Sequence, residues 1–99
     1  MVQNTATLTG TLIQRTVLRY TPAGVAVINL ELDHQSQIVQ ADSVRQLSFT
    51  VEAIALGDVA LVVDSLALGK LYTFDGFWAP AHHRIKRIVF HVLKVSSQG

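Results

Sequence analysis

The chain has 99 residues, of which 49% are apolar and 15% charged, and its formal net charge is +1. That length holds one compact domain and is too short for two. So apolar and so nearly neutral a composition excludes intrinsic disorder and a histone-like polybasic protein.

Residues 5–19, rich in Thr, Val, Leu and Ile, alternate in part and predict a strand. A bulge or sharp bend is expected at Gly10. Pro22 and Gly24 mark a turn over 21–24. Residues 25–32 resume as a strand, so 5–34 read as a hairpin. Residues 35–43 are polar and predict an exposed loop. Residues 44–54 alternate again, with Leu47, Phe49 and Val51 opposite Gln46, Ser48 and Thr50, and predict a half-buried third strand. The apolar stripe of 55–68 is broken and predicts a connector with at most a short helix. A fourth strand over 71–79 contains Gly76, a tight loop follows at 80–83, and 85–95 form a fifth strand before a polar tail at 96–99. Phe74, Phe77 and Phe90 are expected in the core.

Five strands with a connector between the third and fourth predict an all-β fold, the five-stranded Greek-key barrel of oligonucleotide-binding (OB) proteins. It forms a single domain over 1–99, with its core at about 4–96. Gly10 and Gly76 would relieve crowding where the strands coil. An SH3-like barrel is the nearest rival. So little charge on so small a chain leaves apolar surface for a partner, and a homodimer is expected.

The absence of cysteine excludes disulfide scaffolds, cysteine-based zinc sites and thiol nucleophiles. No basic segment leads into an apolar one after Met1, and no apolar run approaches the ~18 residues of a membrane span, so neither a secretory signal nor a membrane partner is expected. Gly69-Lys70 is no phosphate loop, because Asp64 and Leu71 stand where its first glycine and its Ser or Thr belong. His82 and His83 are adjacent and would point to opposite faces of a strand, and His34 could approach them only through the fold, so no metal site is expected. Glu31 and Asp33 share one face, read as solvated rather than as a glycosidase-like pair. No motif suggests an enzyme or a cofactor.

Charge order is more informative than charge total. Residues 1–30 carry Arg15 and Arg19 without an acid, a balance of +2. Residues 31–75 hold all seven acids against Arg45 and Lys70, a balance of −5. Residues 76–99 carry Arg84, Lys86, Arg87 and Lys94 without an acid, a balance of +4. The first hairpin and the loop between the fourth and fifth strands are therefore electropositive, and in OB barrels such loops embrace the ligand. The alternative is that Arg84, Lys86 and Arg87 are solubilising edge charges. Single-stranded nucleic acid is held by a basic groove and by aromatic faces on which bases stack. Tyr20, beside Arg19 in the first turn, and Trp78, just before the basic loop, are the candidates for stacking.

The segments 4–10 (NTATLTG) and 18–24 (LRYTPAG) resemble the opening of bacterial single-stranded-DNA-binding barrels. Residues 32–34 (LDH), Arg45-Gln46, 54–57 (IALG), Gly69, Gly76-Phe77 and 89–91 (VFH) resemble one branch, the primosomal replication protein N (PriB) family. The resemblance covers about residues 4–96. It implies a cytoplasmic bacterial homodimer that binds single-stranded DNA without catalysis and acts in replication restart. It also implies stimulation of the restart helicase PriA and contacts with other primosome proteins and single-stranded-DNA-binding protein. The binding positions it implies are Arg19, His82, Arg84 and Arg87, with Lys86 as a basic addition and Arg45 as a further candidate. The chain departs from the family where a stacking tryptophan corresponds to Ser48, and basic positions to Gln35 and His82. These departures bear on affinity and footprint, and leave Tyr20, Trp78 or Phe49 to supply stacking. A general single-stranded-DNA-binding protein and an OB module for protein contacts alone are the competing readings.

Overall fold

Period-two patterning of β-branched residues builds a six-stranded sheet that curls on itself, with one short helix at its end. The structure, a computed structural model, describes residues 2–84 and 86–97. Its elements are β1 (Ala6–Arg15), β2 (Arg19–Tyr20), β3 (Ala26–Gln40), β4 (Ser43–Leu56), α1 (Asp58–Ser65), β5 (Leu71–Pro80) and β6 (Ile88–Ser97). The strand order is β1-β5-β6-β4-β3-β2, and pairing of β1 with β3 closes a five-strand barrel. All pairings are antiparallel except β4 with β6, where Ala53, Ile54 and Ala55 lie beside Phe90, His91 and Val92. This is the OB barrel expected from the sequence.

The barrel interior holds Leu12, Ile28, Leu30, Leu32, Val51, Ala53, Ala55, Phe74, Phe90 and Val92. Full burial of side chains such as Phe74, Phe90 and Leu12 stabilises by about 1.5–3 kcal/mol each. Helix α1 adds Ala60 and Val63 to this core. Its start depends on Gly57, whose φ of 78° lies in the left-handed region that a side chain disfavours. Its end is held from β1, where Arg15 Nη1 donates 2.6 Å to the Leu66 carbonyl, one of the orphan acceptors of a helix C-terminus.

The expectations for the first strand change in detail. β1 ends at Arg15, and residues 16–18 lie outside any strand. The bulge falls between Leu12 and Gln14 rather than at Gly10, which sits in register with Tyr72. Gly10 serves a close approach instead, because a Cβ there would meet the Asp33 carbonyl oxygen at 3.1 Å. Crowding at Gly76 is more severe: a Cβ would fall inside the His91 carbonyl. The ladder shifts register next to it, with Asp75 opposite Lys94 and Gly76 opposite Val92.

The largest correction is at 35–43. These residues are not a loop but the outer half of a β3–β4 ribbon, paired without a break from Val27–Leu56 to Gln40–Ser43. Ala41 and Asp42 turn it with φ of 51° and 61°, the two positive values of a type I′ hairpin. Both faces of a projecting ribbon meet solvent, so its polar composition signalled exposure and not irregular backbone. Phe77 is also not core. It is half-buried on the outer face, and its ring stacks on His91 at 4.8 Å. Ser96 and Ser97 extend β6 instead of forming a tail, while Gln98 and Gly99 lie outside the described residues. The start expected for the last strand, Ile85, is likewise outside them, and β6 begins at Ile88.

Candidate nucleic-acid interface

Residues paired across antiparallel strands project from the same side. Val27, Asn29, Glu31, Asp33 and Gln35 therefore share the outer face of β3, facing Leu56, Ile54, Glu52, Thr50 and Ser48 of β4. Arg19 pairs with Val27 and belongs to that face. The β5–β6 connection folds over it, since Ala81 packs on a small outer cluster of Val27, Ile54 and Val89. Farther along, Arg87 Nε meets Glu52 Oε2 at 2.9 Å, an exposed ion pair. His82, Arg84 and Lys86 are exposed in the same connection, with the Arg84 backbone N–H donating 3.3 Å to His82 Nδ1. The two electropositive regions of the sequence thus meet on one face of the barrel.

Two clefts flank the Glu52–Arg87 pair. One, of about 240 Å³, lies between the connection and the barrel and is lined by Gln14, Asn29, Glu31, Glu52, Ala81 and Arg87 among others. The other, of about 400 Å³, is lined by Phe49, Thr50, Glu52, Trp78, Arg87 and Ile88. Trp78, 38% exposed, lines this cleft beside the Arg87 guanidinium; Phe49 reaches its rim from the opposite side of β4 to Glu52, with its ring against His34 at 4.8 Å. Trp78 is fixed in place. Its backbone is bracketed by the Asn4 amide at 2.6 and 3.1 Å, and its ring meets Phe90 edge-on at 5.1 Å.

Not every candidate joins this arrangement. Tyr20 is 62% exposed but pairs with Ala26, on the opposite side of the sheet from Arg19. Arg45 stands near the ribbon tip opposite Ile38, on the face of His34 and Phe49, and donates to Gln40 Oε1. Gln35 and Ser48 are direct register partners on the outer face, and Gln35 Nε2 donates 3.3 Å to Asp33 Oδ2. His34 is occupied structurally: Nδ1 donates 2.7 Å to the Thr9 carbonyl, and Nε2 lies 2.9 Å from Ser36 Oγ. Among the described residues, no group of His, Asp and Glu could hold a metal ion, and no helix is long and apolar enough to cross a membrane.

The acids on this face were only half legible. Period two placed Glu31 and Asp33 together, but nothing local indicated that Glu52 would stand directly opposite Glu31, because that depends on β3–β4 register. The interface is therefore mixed, with cations in the connection and on β2 above carboxylates on β3 and β4.

Residues 4–94 match a family described as another single-strand binding protein family. The replication restart protein PriB of Bordetella pertussis is 35% identical over 89 residues, covering 90% of this chain and 83% of that protein. PriB of Nitrosomonas europaea is 30% identical over 90 residues, covering 91% and 83%. In structure, PriB of Ralstonia solanacearum superposes with a TM-score of 0.91 at 37% identity, covering 99% of this chain and all of that one. The single-stranded DNA binding protein of Thermus aquaticus superposes with a TM-score of 0.76 at 24% identity over 98% of this chain and 51% of that one, a likeness of fold.

Proposed function

Because this chain belongs to the single-strand binding protein family and, within it, to the PriB replication restart family, we propose that it binds single-stranded DNA as a non-catalytic component of the restart primosome. The observation that carries this reading is the docking of Ala81 on Val27, Ile54 and Val89. It supports the reading because Arg84, Lys86 and Arg87 follow Ala81 in the chain, and Arg19 belongs to the face on which Ala81 docks. Arg19, Arg84, Lys86 and Arg87 contact phosphates, and Trp78, which lines the cleft beside Arg87, receives a stacked base. His82 completes the connection's polar rim.

The working species in this reading is a homodimer in the bacterial cytoplasm that stimulates the restart helicase PriA. Support for a second copy comes from apolar residues exposed on both faces of the ribbon, namely Ile38, Val39 and Val44. Exposed apolar groups this concentrated are uncommon on monomers. Sedimentation at micromolar concentration gives twice the chain mass, and the mass of one chain contradicts the dimer. Charge reversal at Arg84 and Arg87 together weakens binding to single strands of every sequence alike. Normal binding by that double variant would favour a module for protein contacts only.

A further inference from the structure

We propose that the cleft between Asn29, Glu31, Ala81 and Arg87 is a base-reading subsite selective for guanine. This inference rests on the single-stranded DNA reading. The cleft of about 240 Å³ is smaller than the roughly 300–1,000 Å³ of pockets for drug-sized ligands, a size suited to one nucleobase. Its floor holds Glu31 directly opposite Glu52. The lining also holds Arg15, whose Nη1 donates to the Leu66 carbonyl, and Arg87, paired with Glu52, so Glu31 is the carboxylate left to meet a base edge.

The lining then decides which base fits. Glu52 is already engaged by Arg87 at 2.9 Å. The Glu31 carboxylate and the side-chain amides of Gln14 and Asn29 have no hydrogen-bond or ion-pair partner among the described residues. A free carboxylate flanked by free amides matches guanine. N1–H and the 2-amino group are adjacent donors for the two carboxylate oxygens, and O6 and N7 accept from amides. Adenine and cytosine place a ring-nitrogen lone pair beside their amino group, which a carboxylate repels. Thymine has a single N–H between two carbonyl oxygens. The planar guanidinium of Arg87 supplies a wall on which the ring can stack.

The test is fluorescence anisotropy with oligo-dT and with the same oligomer carrying one central dG, dA, dC or deoxyinosine. The dG oligomer is expected to bind about fivefold tighter than oligo-dT and the dA and dC oligomers, with deoxyinosine, which lacks the 2-amino group, intermediate. Glu31→Gln removes the preference, read as the ratio of dG-oligomer to oligo-dT affinity within the variant. Glu31→Asp, which shortens the reach, lowers the preference and serves if the first variant melts early. Equal affinity for all oligomers in the unmodified protein overturns the subsite and leaves general single-strand binding intact, as does a dG preference that survives Glu31→Gln. Absence of binding to any oligomer overturns the single-strand reading and the subsite together.

Discussion

Arg87 Nε and Glu52 Oε2 stand 2.9 Å apart, so a cation of the β5–β6 connection is tied to β4 beneath it and partly neutralised there. A phosphate must compete with Glu52 for that guanidinium. Glu52→Gln is therefore expected to raise affinity for oligo-dT at low salt by about two- to fivefold, as the worth of exposed ion pairs suggests. The melting temperature should barely move, because both side chains are more than half exposed. Titration of the variant beside the unmodified protein checks this, and weaker binding would mean that Glu52 positions Arg87 productively.

Ser48 and Gln35 occupy neighbouring, directly paired positions on the outer face. A ring at 48 and a cation at 35 would therefore act on the same stretch of strand. The double variant Ser48→Trp with Gln35→Lys is expected to bind oligo-dT about tenfold tighter or better, since one stacked base contributes roughly 1–3 kcal/mol. Its new tryptophan should be quenched on binding. No gain in affinity would place the strand's path elsewhere.

Gly76 is where β5 and β6 approach too closely for any side chain. Gly76→Ala is expected to cost about 3 kcal/mol or more, because the obstacle is the His91 backbone and cannot rotate aside. Gly10→Ala, whose Cβ would meet the Asp33 carbonyl oxygen at 3.1 Å, should cost clearly less. Thermal unfolding of both variants checks the order.

The ribbon turn carries Ala41 and Asp42 at positive φ, a conformation that costs an alanine roughly 1 kcal/mol. Replacing the pair by Asn-Gly, the residues that type I′ turns favour, is expected to stabilise the protein by about 1 kcal/mol. Denaturant unfolding measures it.

That turn also explains what could not be read from the sequence. The Asn-Gly signal was missing, and 35–43 is mostly polar apart from Ile38 and Val39, which are exposed, so neither turn chemistry nor a buried face marked it as paired strand. Inside the barrel, where one face is buried, alternation was legible. Leu30 and Leu32 are buried between the more exposed Glu31 and Asp33, and Phe74, expected in the core, is buried between Thr73 and Asp75. Phe77 was misplaced because at β5's later half the outer face is itself partly covered, by His91. The basic ends were legible as charge blocks. Their meeting on one face followed from the expected barrel, whereas the contact that brings it about, Ala81 on Val27, Ile54 and Val89, was not legible.

The central claim is that phosphates are held by the cations of this face, and the salt dependence of oligo-dT binding tests it most directly. For the unmodified protein, log affinity should fall linearly with log salt. In Arg84→Ala with Arg87→Ala the slope should shrink by about 1.4, at ~0.7 per phosphate contact on a single strand. Affinity that ignores salt, or a double variant with an unchanged slope, would contradict the account.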